Sequence, residues 1–332
     1  MVISGERAYI YAKICGIIGK SFVGKRVSAL GGISRLAELD RIVFPNANRD
    51  LPERELLPDL ERRIAEKTVR EIIGIIECFK EPPEFLALLV RAYEYADMKV
   101  VLSAMADRET KPPSWTDIGE FRTVSFEAYP NTEKMLKGTE FEFLLKEDMT
   151  DIISLQTKLD RRYYGAVWNA LSKLPKSDRK GVEKIIGDEI SLRNAAWVLR
   201  LRTYYNMKPE NIKDMLIFIE GKKTFTDDAL ESLNFALDTR SEWTKWKWAS
   251  FVNEEKTGNY WKIDPRYFQN QASAFLYKSA YHSLRARPFT LDSVFCFIRL
   301  KQSEEDILTS IAEGFGFNMT VRESLNLLGE AI

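Results

Sequence analysis

Gly16-Ile-Ile-Gly-Lys-Ser21 ends in Gly-Lys-Ser, as a phosphate-binding loop does. In such loops backbone amides and the lysine cradle phosphate oxygens. The pattern also needs a glycine five places before the Gly-Lys pair, and Ile14 stands there. No strand signal precedes the run, so a helix surface accounts for it better. Asp227-Asp228, with Glu231 three residues on, resembles part of an acidic box for a divalent metal. Neighbouring acids on a helix point about 100° apart, so they do not share one ion. No second acidic box is evident, and an acidic helix start is the preferred reading. Glu254-Glu255 and Glu304-Glu305 are acid pairs of the same kind. Trp243-Thr-Lys-Trp-Lys-Trp248 interleaves rings and cations, a composition that can stack single-stranded bases. It also describes tryptophans packed inward with lysines reaching outward. Glu242, Glu254 and Glu255 nearby favour packing or a protein interface.

Nucleophilic triads and zinc sites would both need His282, the only histidine. No cysteine or second histidine lies at ligand spacing from it, and no Gly-x-Ser-x-Gly elbow exists. Cys15, Cys78 and Cys296 are scattered and odd in number, which indicates a reducing compartment and no disulfide framework. The residues offer no reactive constellation, and an enzyme is the minority reading. A helical enzyme using Asp227, Asp228 and Glu231 with a metal stays as a lesser alternative, beside a generic α-helical adaptor.

The elements that must position these residues read as helices. Leu57, Leu60, Ile64, Ile72, Ile76 and Phe79 keep one face and predict a helix from about Glu53 to Lys80, stopped by Pro82-Pro83. A second runs from Glu84 through Val100, and a third from Ile152 through Leu171 to a stop at Pro175. Ser177 is placed to cap the next, which reaches Tyr205. Thr226-Asp-Asp reads as a cap with an acidic first turn, and Thr320-Val-Arg-Glu323 has capping-box spacing. Phe121-Arg-Thr-Val-Ser-Phe126 alternates briefly and could be extended. The fold class expected is all-α.

The 332 residues carry 49 Lys+Arg and 49 Asp+Glu, a formal net charge of zero. A chain held mainly by phosphate contacts carries a basic excess, so nucleic acid is not an expected partner. Hydrophobic residues at 45% can support a core. The apolar runs are far shorter than the roughly 20 residues a membrane span needs. Lys13 and Lys20 interrupt what would be a signal-peptide core, so secretion is not expected.

A weak internal repeat organises the chain. Asp160-Arg-Arg-Tyr-Tyr164, with Arg162 and Tyr163, is matched by Asp264-Pro-Arg-Tyr-Phe268, with Arg266 and Tyr267. Glu6-Arg-Ala-Tyr-Ile-Tyr11 is a looser copy. A second helix follows each copy and carries an acid before a polar position. These are Glu94 to Lys99, Asp188-Glu189 to Asn194, and Glu304-Glu305-Asp306. The period of roughly 100 residues exceeds that of the common helical solenoids and fits three copies of a multi-helix module.

These residues resemble the C-subunit family of V/A-type rotary ATPases, whose eukaryotic member is called the d subunit. The middle copy carries the likeness best, in Asp188-Glu189, Asn194 and the Arg200-Leu-Arg202 run. The other copies depart from it, with Lys99 and Asp306 where the family usually has Asn. The resemblance implies three similar helical modules around a pseudo-three-fold axis, shaped as a funnel. It implies a non-catalytic socket between the central-stalk subunits and the membrane proteolipid ring, at the cytoplasmic face, without cofactor or small-molecule substrate. The modules are expected at 1–114, 115–215 and 216–332. The repeated Asp-x-Arg-aromatic residues are expected to be structural, with Asp at a helix start opposing the dipole and the Arg and rings packing between helices. Asn194 is expected to bond backbone groups between helices.

The zero net charge conceals an uneven distribution. Residues 115–157 hold nine acids and four bases, and 158–209 hold twelve bases and five acids. The basic middle stretch is expected to face an acidic partner, or the acidic segment before it.

Overall fold

The structure, a computed structural model, describes residues 5–46, 51–255 and 260–328. Among them every regular element is a helix and no strand occurs. The N-terminal part holds α1 (Gly5–Ile18), α2 (Leu36–Val43), α3 (Glu53–Ile76) and α4 (Glu84–Ala106). A loop-rich stretch with α5 (Thr132–Leu136) leads to α6 (Ile152–Ser172) and α7 (Lys176–Tyr204). Then come α8 (Pro209–Lys213), α9 (Thr224–Glu231), α10 (Pro265–Ala286), α11 (Leu291–Gly316) and α12 (Val321–Leu327).

The helix boundaries have local causes. Asp151 caps α6 by accepting from Ser154 N–H at 3.1 Å. Asp264 caps α10 by accepting from Arg266 N–H at 2.8 Å, with Pro265 in the first turn, where no donor is lost. Thr320 and Glu323 form the expected capping box of α12. Two expected caps are corrected. Pro175 occupies the N-cap position of α7, its fixed φ starting the helix at once, so Ser177 lies inside the first turn. Thr226 lies inside α9, and its hydroxyl donates back to the Lys223 carbonyl at 2.9 Å.

The segment around Phe121–Phe126 is extended at Arg122, as it could be, but it pairs into no strand and runs between two short helical turns. The N–H groups of Thr123 and Val124 donate to the buried Glu94 carboxylate of α4 at 2.6 and 2.7 Å, which satisfies them without a strand partner. Related clamps recur on α7 and α11. Asn194 accepts from Ile217 N–H at 2.8 Å, and Glu304 accepts from Phe22 N–H at 2.7 Å. A buried polar side chain on each of these three helices thus holds a loop remote in sequence.

α11 is apolar on every side over Val294–Ile298, and all five residues there are buried. Such all-round burial marks a helix that neighbours enclose. Three hydrophobic clusters build the interior. The first joins α1, α3, α4, α6, the start of α7, α10 and the start of α11. The second gathers Leu192, Val198 and Leu199 of α7 with Trp243, Trp246, Trp261 and Phe268. The third packs residues of 22–64 against Ile307, Leu308 and Ile311 of α11. Within this interior Lys301 is fully buried, neutralised by the carboxylates of Glu304 and Glu71. Burying each large apolar side chain stabilises by about 2 kcal/mol, so the clusters hold the helices that carry the polar residues described next.

Candidate functional site: a charged cavity between five helices

α4, α6, α7, α10 and α11 line an open cavity of about 630 Å³. Lys99 comes from α4, Asp160 from α6, Glu189, Arg193, Asn194 and Arg200 from α7, Gln269 and Ser273 from α10, and Asp306 from α11. The second helix of each repeat therefore contributes to one space, through Lys99, Asn194 and Asp306. A second hollow of about 490 Å³ continues past Gln269, Ser273 and Asp306 to Glu305 and Glu313.

Paired charges line the cavity. Asp160 accepts from Lys99 Nζ at 2.6 Å and from Arg193 at 3.3 Å. Glu189 accepts from Tyr164 Oη at 2.6 Å and from Arg299 at 2.7 Å. Burial draws the Lys99 ammonium below its ordinary range, and the neighbouring Asp160 works against that. Beneath these groups Phe141, Tyr95, Tyr163 and Tyr164 form a chain of rings with centroids 4.7, 5.2 and 5.1 Å apart. Burial pushes the Tyr163 phenol up to about 12.

The α11 side is acidic. Tyr93 Oη donates to Glu305 at 2.7 Å. Burial pushes the Glu305 carboxyl up to about 7, with Asp306 beside it adding to the rise. Loss of solvation in the cavity wall raises the Asp306 carboxyl to about 6, although the residue keeps an exposed edge. The two ends thus differ in balance: Lys99, Arg193 and Arg200 lie toward α4 and α7 among the carboxylates of Asp160 and Glu189, whereas Glu305, Asp306 and Glu313 lie along α11.

The structure separates the residues of the repeat motif. Asp160, Glu189, Asn194 and Arg200 meet in the cavity. Asn194 is buried, and its amide donates to the carbonyls of Ile217 and Phe225 at 2.9 Å each. Tyr163 is buried behind the cavity. Arg162 lies over the Phe143 ring at 3.9 Å. Asp188 pairs with exposed Lys184, and Arg202 donates to the carbonyls of Ser232 and Phe235. Arg266 and Tyr267 are exposed while Asp264 caps α10. The common role expected for the aspartates is corrected for Asp160, which lies in the middle of α6 and answers cations instead of a helix start.

The basic stretch 158–209, expected to face an acidic partner or the acidic segment before it, is partly paired within the fold. Arg161 donates to the carbonyls of Asp214 and Leu216, Arg179 pairs with Glu183, and Arg193 pairs with Asp160. Among the described residues Lys158, on Glu147, and Arg162, on the Phe143 ring, reach the acidic segment before it.

The other candidates find structural places. Trp243, Trp246 and Trp248 are buried, so their faces are not open to bases. Asp228 accepts from Ser191 and Lys247 at 2.8 and 2.6 Å, while Asp227 and Glu231 point to solvent. Among the described residues no group of three His, Cys, Asp or Glu could hold a metal ion. Ser21 is buried and receives a hydrogen bond from Lys301 at 3.2 Å, so the Gly-Lys-Ser run is the end of α1 and its turn. Arg193 and Arg299, which complete the charge network, do not stand out in the sequence. Their signal is that Arg193 precedes Asn194 and Arg299 opens the equivalent run on α11.

Comparison with known proteins follows the same outline. The family described as ATP synthase (C/AC39) subunit matches residues 46–324. A protein of Treponema pallidum (strain Nichols), described as an uncharacterized protein, is 26% identical over 331 residues, covering 97% of this chain and 96% of that one. The C subunit of the A-type ATP synthase of Methanosarcina mazei is 25% identical over 235 residues, covering 68% of this chain and 59% of its own length. Its counterpart of the same description in Methanosarcina barkeri is 25% identical over 184 residues, covering 52% and 47%.

Proposed function

Because the chain belongs to the ATP synthase (C/AC39) subunit family, we propose that it is a non-catalytic subunit of a membrane-bound rotary ATPase, a socket between the central stalk and the proteolipid ring. The observation that carries this reading is the cavity, where α4, α7 and α11 each present a polar residue to one wet space. A stalk end seated there meets paired charges of both signs on the α6 and α7 side and carboxylates on the α11 side, an asymmetry that fixes its rotational register. In this reading the modules 1–114, 115–215 and 216–332 surround the socket about a pseudo-three-fold axis as a funnel.

Torque transfer requires that the wall not shear. The clamps from Glu94, Asn194 and Glu304 and the buried Lys301 group tie distant segments to the three helices, which supports that role. Among the described residues no helix is long and apolar enough to cross a membrane. The proposal places the protein at the cytoplasmic face, held there by its partners, in the path of proton or sodium transport.

Affinity purification of the tagged chain from detergent-solubilised native membranes tests this. The expected result is co-purification with stalk and proteolipid subunits. A stable complex lacking both would overturn the reading in favour of a generic helical adaptor.

A further inference from the structure

A different hollow, of about 500 Å³, lies between α1, the turn after it and α10. Its walls hold three cations, Lys25, Arg26 and Arg285, and no carboxylate. All three are exposed, and among the described residues none of them pairs with an acid. The contacts of the two guanidinium groups are with rings: Arg26 over Phe22 at 5.8 Å and Arg285 over Tyr281 at 5.1 Å. Apolar lining comes from Ile18, Val23 and Leu284, and aromatic lining from Tyr11 and Tyr281.

The arrangement is built rather than incidental. Tyr277, Tyr281 and Arg285 follow one face of α10, with the two rings stacked at 6.1 Å. Tyr277 Oη accepts from Gly24 N–H at 2.6 Å. Gly24 has φ +57°, and a Cβ there would lie 2.6 Å from Tyr281 Oη, so only glycine lets the turn press this closely onto α10. That contact holds Lys25 and Arg26 on the same rim as Arg285.

From this geometry we propose that the hollow binds a phosphate ester that carries an apolar or aromatic body. Two guanidinium forks and an ammonium match phosphate oxygens, and the rings and aliphatic side chains take the body. The Gly-Lys-Ser run nearby is not the binding loop; the cations come from the next turn and from α10. The phosphate could belong to the headgroup of an anionic lipid or to a soluble molecule such as a nucleotide.

Cys15 lines the hollow and is exposed, while Cys296 is buried, so occupancy is read as protection of Cys15 from alkylation, followed by mass spectrometry. The probes are vesicles of phosphatidylglycerol with phosphatidylcholine, vesicles of phosphatidylcholine alone, and ATP. Protection by the anionic vesicles alone identifies a lipid headgroup, and protection by ATP identifies a soluble phosphate. R26E and R285E each weaken that protection about tenfold, as loss of a charge-assisted contact predicts. K278E is the control, since exposed Lys278 is on α10 and does not line the hollow. The proposal is overturned if neither probe protects Cys15, or if K278E weakens protection as much as R285E does.

Discussion

α7 passes between two different solvents. One face, through Ala195, Val198 and Leu199, meets a dry layer of tryptophans. Trp243 and Trp246 stand edge to face there at 5.4 Å, and their indole N–H groups donate to the carbonyls of Ala236 and Asp228 at 2.8 Å each. The other face, through Glu189, Arg193 and Arg200, meets the charged cavity. These indoles on the dry face are satisfied by backbone, and the layer gains its energy from buried area. The wet face holds charges that share partners and can exchange them. Stability and recognition are therefore divided between two sides of one helix, with Asn194 at the boundary.

Substitutions on the two faces should separate stability from recognition. Trp243→Ala empties the dry layer and should cost about 3–5 kcal/mol in urea unfolding, the largest effect expected. A cost below about 1 kcal/mol would mean that the layer is not a core. Asn194→Leu leaves the Ile217 N–H and two carbonyls without partners, for about 2 kcal/mol. The same titration reads it, and Asn194→Asp should recover less than half, because a carboxylate cannot donate to the carbonyls. Glu189→Gln on the wet face leaves a partly exposed Arg299 against a neutral group, with an expected loss of roughly 1 kcal/mol. If Glu189→Gln costs as much as Trp243→Ala, the division between the faces is wrong.

Asp306→Asn should be the smallest change, because solvent at its exposed edge screens the charge, and the most dependent on pH. Its carboxyl titrates near 6 in the fold, above its unfolded value, so the native state holds its proton more tightly. The penalty of ionising it is complete above pH 6, shrinks as pH falls toward the unfolded value, and vanishes below that. The variant should therefore exceed the parent in stability at about pH 8 and match it near pH 3. Paired unfolding curves across that range check the sign, and a gain that grows toward low pH would refute it.

Much of the helical frame is legible in residue order, because periodicity and capping are local. The capping box at Thr320 needs only four residues, and the period from Leu57 to Ile76 only one helix. Asn194 stands out as an amide among apolar neighbours, and it bonds backbone as expected. The cavity is another matter. Lys99 meets Asp160 across 61 positions and Glu189 meets Arg299 across 110, and no local pattern encodes such pairings. The two good copies of the Asp-x-Arg-aromatic motif look alike in sequence, yet Asp264 caps a helix and Asp160 neutralises cations. Where each copy sits relative to its helix start decides this, and spacing does not show it. The segment charges mislead for a related reason: over 158–209 Lys173 pairs with distant Glu84, and Arg161, Arg179 and Arg202 donate to backbone carbonyls, which a count along the chain does not include.

The most direct test of the central claim puts a photo-crosslinking amino acid at Gln269, which borders both parts of the charged cavity. Irradiation of membranes containing the variant should join the chain to a central-stalk protein, while the same probe at Lys278 should not. A Gln269 product containing only a protein from outside the rotary complex, or no product in complexes that retain the stalk, would contradict the socket.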